Sequence, residues 1–286
     1  MSLVDDLLQK LPVERWRNPP PQVAVVRFDG LIGARGPRGL SLRRFAHALE
    51  RAFALRNLKA VALAINSPGG SPVQSSLLYR RIRQLAEEKD VPVIAFAEDV
   101  AASGGYWLAL AADEIFAEET SLLGSIGVVT ASFGFAEALR RLGVQRRLYT
   151  AGENKSLLDP FLMEDPKGIE RLTVLQQDMH ASFKELVRTR RGLKLKGEES
   201  DLFSGEVFTG RRAIERGLID GIGDLRSTMR QRYGETVRLR AVEPERRRFA
   251  LLQWFGWSPR RAEIGDLATD LLARLEERMI WARFGL

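Results

Sequence analysis

The stretch Asp99–Trp107, with the sequence DVAASGGYW, decides the fold because it joins a buried strand to a buried helix through a serine. The residues before it, Val91–Ala97 (VPVIAFA), form an apolar run of strand length, and Ser103–Ala112 (SGGYWLALAA) has the small and apolar residues of a buried helix. At such a junction the serine Oγ projects into a cleft, and the free N–H groups of the first helical turn face any oxyanion beside it. Ser103 is therefore a candidate nucleophile. The alternative is that it serves only as the N-cap of the helix.

A second strand, turn and helix repeat this arrangement earlier in the chain. Ala60–Ile65 (AVALAI) is a nearly continuous apolar run, which favours a strand covered on both faces in a parallel sheet. Asn66–Pro72 (NSPGGSP) follows and leads into a predicted helix. We interpret Gly69 and Gly70 as a backbone site for an oxyanion or substrate, acting together with the N–H of Gly104. An ordinary strand-to-helix turn is the alternative, and the glycine patterns that bind phosphate are absent.

The composition limits which groups can assist a serine. With 286 residues, of which 45% are hydrophobic, the chain can bury a full core. It has no cysteine, which excludes thiol nucleophiles, disulfides and thiolate metal sites. His47 and His180 lie far in sequence from either glycine-rich turn, so a Ser-His-Asp triad has little support. We expect no metal and no cofactor, because nothing in the sequence supplies a cluster of metal ligands.

The charge of the chain bears on its partners. The net charge is +7, and eight of the 44 basic residues are lysine. Arginine is spread over every segment without the clustering with aromatic residues that a nucleic-acid surface requires, so we expect no nucleic-acid partner. No stretch reaches the roughly 18 apolar residues that a membrane span needs, and no secretory signal is recognised. The sequence predicts a cytoplasmic protein or one held peripherally at the inner membrane.

A lysine lies in a loop with apolar neighbours. The loop Ala151–Phe161 (AGENKSLLDPF) follows a predicted strand at Gln145–Tyr149, and Lys155 precedes Leu157 and Leu158 within it. Because burial among apolar groups disfavours the ammonium form, such a lysine is a candidate general base. A solvated surface lysine is the alternative.

Taken in order, five blocks of the chain closely resemble the signal peptide peptidase A family of serine proteases, which is peptidase family S49. The resemblance covers roughly residues 23–222, most of the chain. The matching blocks are VALAINSPGG at 61–70, DVAASGGY at 99–106, LLGSIGV at 122–128, GENKSLLDPF at 152–161 and GEVFTGRRAIERGLIDGIG at 205–223.

The resemblance implies a Ser–Lys dyad on the α/β fold that Clp proteases and crotonases share, built from repeated strand–turn–helix units. Position by position, it makes Ser103 the nucleophile and Lys155 the general base. The N–H groups of Gly70 and Gly104 then hold the oxyanion, and Ser125 is a candidate for orienting the lysine amine. The implied activity is endopeptidase cleavage of extended apolar peptides, such as remnants of signal peptides or unfolded membrane-protein segments, by a ring- or dome-shaped homo-oligomer.

The same resemblance organises the chain into three parts. Residues 1–22 form an N-terminal amphipathic segment with a proline linker, residues 23–235 the Ser–Lys peptidase domain, and residues 236–286 a basic C-terminal extension. The last element of that extension, Glu263–Phe284, has helical apolar spacing. Family members usually carry an N-terminal membrane anchor or export signal, and we recognise none, which leaves the compartment and peripheral contact with a membrane open.

Two other functions remain as alternatives. A crotonase-like acyl-CoA enzyme would use the two glycine turns to hold a thioester enolate, but such enzymes generally work with carboxylates beside that site. Here Glu98 and Asp99, the acids nearest Ser103, precede the turn. A non-enzymatic oligomeric scaffold for a membrane-protein partner is the second alternative. Covalent labelling of Ser103 separates both of them from a peptidase.

Overall fold

The computed structural model describes residues 20–34, 39–152, 154–244, 275 and 277–286. The amphipathic character predicted for the N-terminal segment, and the C-terminal extension between residues 245 and 274, lie outside the described residues. The strands are β1 (Gln22–Asp29), β2 (Leu58–Ser67), β3 (Val93–Ala102), β4 (Glu114–Ala117), β5 (Leu122–Gly124), β6 (Val207–Thr209), β7 (Gly221–Ile222) and β8 (Arg238–Ala241). The helices are α1 (Leu42–Phe53), α2 (Pro72–Lys89), α3 (Gly104–Ala109), α4 (Ala136–Arg141), α5 (Pro166–Arg191), α6 (Glu199–Leu202), α7 (Gly210–Glu215) and α8 (Leu225–Tyr233).

The strands form one sheet in the order β6-β5-β3-β2-β1-β8, and β4 pairs with both β3 and β7. Pairing is parallel except between β5 and β6. Because β1, β2, β3 and β5 are parallel, their carboxyl ends meet at one edge, where ligands of open α/β sheets bind. The α/β prediction from strand–turn–helix units is confirmed.

The central strands are covered on both faces, as their apolar runs predict. Val61, Leu63 and Ile65 of β2 pack in the larger core, which also contains the buried side chains of α1, α2 and α3. Ala60 and Ala62 belong to a second core on the opposite face, closed by Met229 of α8. Such burial stabilises the sheet by about 25 cal/mol for each Å² of apolar surface removed from water.

Two helices frame the site. Ser71 caps α2 by accepting a hydrogen bond from the N–H of Gln74, and Pro72 occupies the first turn, where no N–H is needed. Helix α3 lies wholly buried. Its Trp107 packs against Phe183 of α5 with ring centroids 4.7 Å apart.

One predicted strand is wrong. Residues 144–150, which include the predicted strand Gln145–Tyr149, form no strand, because no neighbouring strand in the described part of the chain pairs with them. Their apolar side chains, Val144, Leu148 and Tyr149, are exposed, with Tyr149 at 89%.

Beyond residue 235, the chain first completes the sheet. Strand β8 pairs with β1 in parallel, so the predicted C-terminal extension begins as an edge strand. Residues 277–282 are helical and residues 283–285 form a turn. Among the described helices, none has both the length and the apolar character to cross a bilayer.

Candidate active site

Ser103 lies at the point where β3 ends and α3 begins. Its backbone has φ 51° and ψ −121°, a region that a residue with a side chain enters only when its surroundings impose it. The N–H of Ser103 donates to the carbonyl of Gly124 at 2.8 Å, and its own carbonyl accepts from the N–H of Trp107 at 2.9 Å. The hydroxyl caps no helical N–H. The N-cap alternative therefore has no support from the side chain, which is left for another partner.

Ser125 occupies the matching position after the neighbouring strand. Ala102 of β3 pairs with Gly124 of β5 in parallel register, so Ser103 and Ser125 follow a pair of adjacent residues. Ser125 also has a positive φ, 50°, and its N–H donates to the carbonyl of Glu206 at 2.7 Å. The register of the two strands thus brings together two serines that lie far apart in sequence.

The first glycine turn packs directly against the Ser103 junction. Gly69 and Gly70 have φ values of 107° and 135°, which favour glycine. A Cβ on Gly69 would lie 2.8 Å from both the nitrogen of Gly104 and the Cβ of Ser103. A Cβ on Gly70 would collide with the carbonyl oxygen of Ile32. Glycine is required at both positions because the two turns approach too closely for any side chain.

Two backbone N–H groups are left free by this packing. The carbonyl of Gly69 accepts a hydrogen bond from the N–H of Ile32, and the N–H of Ser71 donates to the carbonyl of Ile32. The N–H of Gly70, which lies between them, has no acceptor among the described residues. Gly104 is the first residue of α3, so its N–H has no acceptor within the helix. A Cβ on Gly104 would lie 3.3 Å from the nitrogen of Gly70, so the two donors are neighbours. Paired donors of this kind can stabilise an oxyanion.

A cleft of about 440 Å³ opens over these groups. Ser103, Ser125 and Gly70 line it, and its wall is largely apolar. The other lining residues are Leu31, Pro68, Pro72, Gly127, Val128, Val129, Ala131, Val207, Ile280, Arg283 and Phe284. The site therefore combines a hydroxyl, two backbone donors and an apolar wall.

Lys155 is not among the residues that line this cleft. It lies exposed in the segment between α4 and α5, and its amine makes no hydrogen bond or ion pair within the described part of the chain. Leu158 is 49% exposed and Phe161 is 40% exposed. The expected enclosure of the amine by Leu157, Leu158 and Phe161 is therefore wrong for a single chain: Lys155 is exposed, Phe161 packs against Phe135 with ring centroids 5.7 Å apart, and Leu157 lies beside Gly168.

Neither histidine lines the cleft. His47 lies on α1, where its ring is 3.8 Å from the carboxylate of Glu50. His180 of α5 places Nε2 3.0 Å from the carbonyl oxygen of Ile126, the residue after Ser125. We read His180 as a support for the backbone that carries Ser125. These positions agree with the expectation that neither histidine forms a Ser-His-Asp triad with Ser103.

The model of Peptidase family S49 matches residues 85–236, more than half of the chain. The chain belongs to peptidase family S49. The membership predicted from the five sequence blocks is confirmed, and with it the assignment to a family of serine peptidases.

Relatives of this S49 chain differ in their names. It is 50% identical over 288 residues to a Brucella abortus (strain 2308) protein named Na(+)/H(+) antiporter NhaA, covering 98% of this chain and 39% of that protein. It is 35% identical over 214 residues to the chloroplastic serine protease SPPA of Arabidopsis thaliana, covering 71% of this chain and 31% of that protein. The chain thus spans less than half the length of either curated relative.

Among solved structures, the S49 chain is similar to a mutant of the 1510-N membrane-bound stomatin-specific protease in complex with a substrate peptide. The identity is 15%, the TM-score is 0.46, and the match covers 83% of this chain and 99% of that chain.

Asn66 is a site residue of the S49 chain that sequence reasoning missed. Its amide nitrogen donates to the Asp99 carboxylate at 3.1 Å, and its amide oxygen accepts from the N–H of Val100 at 3.2 Å. These bonds join β2 to β3 where the register shifts between Ile65 and Ser67. Asn66 therefore fixes the approach of both glycine turns. Its only signal in the sequence was that it is a polar residue directly after the apolar run Ala60–Ile65.

A buried tyrosine anchors the middle of α3. The hydroxyl of Tyr106 donates to the carbonyl of Leu218 at 2.7 Å, and burial raises the pKa of that hydroxyl. Nearby, burial raises the pKa of Asp220, but hydrogen bonds from Arg191 and Lys194 outweigh it and the net pKa is lowered. Asp220 therefore stays ionised beside the buried Arg191 guanidinium, 2.7 Å away. The position of Ser103 thus rests on contacts more than 100 residues away in sequence.

Many exposed apolar side chains lie on both sides of Lys155 in sequence. We call this set the 129–175 surface, and its members are apolar side chains at least 38% exposed. They are Val129, Phe133, Phe135, Leu142, Val144, Leu148, Tyr149, Leu158, Phe161, Leu162, Met163, Ile169, Val174 and Leu175. The ring of Phe135 packs against those of Phe133 and Phe161, with centroids 6.4 and 5.7 Å apart. Exposed apolar clusters of this kind mark interaction surfaces.

Proposed function

We propose that this chain is a serine endopeptidase that cuts extended apolar peptides, such as remnants of cleaved signal peptides or unfolded membrane-protein segments. Ser103 is the nucleophile and Lys155 the general base. The observation that carries the proposal is the Ser103 junction: a serine in a strained conformation, with an uncommitted hydroxyl, beside the free N–H groups of Gly70 and Gly104. Membership of peptidase family S49 supports it.

The proposed reaction uses all of these groups, with the Lys155 amine acting as base in both the acylation and the hydrolysis. The neutral amine of Lys155 takes the proton of the Ser103 hydroxyl as Oγ bonds to the scissile carbonyl carbon. The carbonyl oxygen becomes an oxyanion that accepts hydrogen bonds from Gly70 and Gly104. The C–N bond then breaks, the leaving amine takes the proton from the lysine ammonium, and an acyl-serine remains. Water, deprotonated by the same amine, hydrolyses that ester and frees the serine.

A lysine can act as this base only if it is neutral near pH 7. Its ordinary pKa is about 10.4, and removal from water is the usual way in which proteins favour the neutral amine. In one chain Lys155 is exposed, so we propose that a second copy covers it in a homo-oligomer. The 129–175 surface supports this step, because it carries apolar side chains on both sides of Lys155 in sequence. We propose that Ser125 orients the amine once it is covered.

The proposal is tested by replacing the two reacting groups separately. Ser103→Ala and Lys155→Ala should each abolish cleavage of an apolar fluorogenic peptide while leaving the circular dichroism spectrum and melting temperature unchanged. Lys167→Ala, which removes another exposed lysine, is the matched control and should keep full activity. Retained cleavage in Lys155→Ala would show that another group is the base.

Covalent labelling separates the proposal from its alternatives. A fluorophosphonate should react with Ser103 in the wild-type chain and not in Ser103→Ala. An acyl-CoA enzyme or a non-enzymatic scaffold would not be labelled at this serine. Peripheral contact with an inner membrane, from the cytoplasmic side, is a further part of the proposal, supported by the net charge of +7. Co-sedimentation with anionic vesicles at low salt, lost at high salt, tests it.

A further inference from the structure

One face of helix α5 contacts two separate parts of the Ser103 cleft. Four residues that make these contacts are spaced by four, three and seven positions, so they lie on the same side of the helix. They are Gln176, His180, Phe183 and Arg190. The first two contact the segment 125–131, which follows β5, and the last two contact α3 and the residues just after it.

The second half of this face fixes α3. The ring of Phe183 packs against that of Trp107 with centroids 4.7 Å apart. The guanidinium of Arg190 donates to the carbonyls of Leu110 and Ala112 at 2.9 and 2.8 Å, where the last turn of a helix leaves carbonyls unpaired. Because α3 begins directly after the proposed nucleophile, α5 fixes the helix on that side of the cleft.

The first half of the face holds the turn that carries Ser125. A carbonyl oxygen only accepts, so the Nε2–H of His180 is the donor in its 3.0 Å bond to the Ile126 carbonyl. The positive φ of Ser125 persists only where the surroundings impose it. The N–H of Ser125 is held by the Glu206 carbonyl, and the Ile126 side chain is buried in the core. Among the described residues, His180 makes the one side-chain hydrogen bond to this turn.

A second bond is made one helical turn earlier. The amide nitrogen of Gln176 donates to the hydroxyl of Thr130 at 3.1 Å. The neighbours of Thr130, Val129 and Ala131, both line the cleft. This bond lies at the surface, whereas that of His180 is partly buried, so the Gln176 bond contributes less.

We propose that His180 and Gln176 are positioning residues, through which α5 sets the distance between the proposed nucleophile and the cleft-lining segment 125–131. The proposal rests on the proposed function for its effect on cleavage, but not for the hold on the backbone. Without the His180 bond, Ser125 shifts relative to Ser103 and proton transfer slows. Without the Gln176 bond, the apolar wall loosens and peptide binding weakens.

The His180 bond is tested by removing its donor and then restoring it. His180→Leu has no N–H and should lower kcat for an apolar fluorogenic peptide about tenfold, with KM changed less than about twofold. His180→Gln places an amide N–H near the position of Nε2 and should recover most of the lost kcat. A purely structural role would lower the melting temperature without separating the kcat values of the folded variants. His47→Leu, which removes the exposed histidine of α1, is the matched control and should keep wild-type kcat.

Two adjacent glutamines test the second contact. Gln176→Leu should raise KM about threefold with little change in kcat, because it frees the wall and leaves the Ser125 turn held. Gln177→Leu, at the exposed neighbouring position, is the matched control and should keep both constants. An unchanged KM in Gln176→Leu would remove Gln176 from the proposal.

Amide hydrogen exchange gives a readout that does not need catalysis. In His180→Leu, peptides covering residues 125–130 should exchange about tenfold faster, because the turn opens more often, whereas His180→Gln should exchange like the wild type. His180→Ala repeats both measurements in case His180→Leu does not fold.

The exchange and cleavage data together separate this proposal from the proposed function. Unchanged exchange in His180→Leu would overturn the positioning role, and so would faster exchange with wild-type kcat. An equal loss of kcat in His180→Leu and His180→Gln would show that the N–H is not what matters. Faster exchange with no cleavage by any variant or by the wild type would refute the proposed peptidase and keep the hold of α5 on the turn.

Discussion

The Ser103 junction and the Lys155 segment differ in how completely one chain builds them. The junction lies between paired parallel strands, and its neighbours Ala102 and Gly104 are buried. The Lys155 segment has no strand partner among the described residues, and its apolar side chains stand in solvent. A single chain therefore forms the proposed nucleophile and its two proposed backbone donors, whereas the apolar surroundings that the proposed base needs are absent around Lys155 in the described part of one chain. The two halves of the proposed dyad thus have separate structural origins.

The largest effect on peptide cleavage should come from a methyl group added at the Ser103 junction. In Gly70→Ala, the new Cβ collides with the Ile32 carbonyl and the φ of 135° is strained, so the N–H moves away from the oxyanion position. Loss of one such donor costs about 10²–10³ in kcat. Gly134→Ala is the matched control outside the Ser103 junction, because nothing lies within 4 Å of the Cβ that this change adds. Peptide cleavage rates of the two variants should differ by that factor, and equal rates would remove Gly70 from the oxyanion site.

The next largest effect on cleavage should come from changes to the 129–175 surface around Lys155. Leu142→Asp with Tyr149→Asp puts charge on the 129–175 surface and should reduce the assembly to single chains in light scattering. Because Lys155 then stays solvated, cleavage should fall by about 10² or more, the lower end of what a general base contributes. Leu193→Asp, at another fully exposed apolar residue, should change neither measurement. A single-chain variant with wild-type kcat/KM would refute the proposal that a second copy covers the amine.

The smallest effect is on the free energy of unfolding, and it compares a tyrosine near the Ser103 junction with one near Lys155. Tyr106→Phe removes the hydrogen bond to the Leu218 carbonyl, and leaving that buried acceptor unpaired should cost about 1–3 kcal/mol of unfolding free energy. Tyr149→Phe removes the same hydroxyl from a side chain that is 89% exposed and should cost under about 0.5 kcal/mol. Urea denaturation measures both. Equal costs would mean that Tyr106 does not anchor α3.

Sequence patterns predicted the junction well because its determinants are local. Apolar runs longer than four residues, followed by paired glycines, identified β2, β3 and the turns after them, and serine at the strand end followed from the same pattern. The strand predicted at Gln145–Tyr149 failed for the opposite reason. A short segment with apolar residues forms a strand only if another strand is present to pair with it, and pairing is not a local property.

The role of Asn66 was missed because its partners come from a different strand. An amide after an apolar run is common in turns, and only the shifted register of β2 against β3 gives it Asp99 and Val100 as partners. The surroundings of Lys155 were misjudged in a similar way. Leu157, Leu158 and Phe161 were expected to enclose the amine, but Leu158 is half exposed and Phe161 packs against Phe135.

The family, the parallel α/β layout and the candidate serine and glycines could be predicted from the sequence, because hydrophobic period and turn chemistry act over a few residues. Which separated segments meet depends on the folded chain. It brought Ser125 beside Ser103 through strand register, placed Ile280 and Phe284 in the cleft, and left Lys155 exposed. These outcomes depend on the pairing of whole strands and the packing of whole helices, whose free energies are summed over residues far apart in the chain.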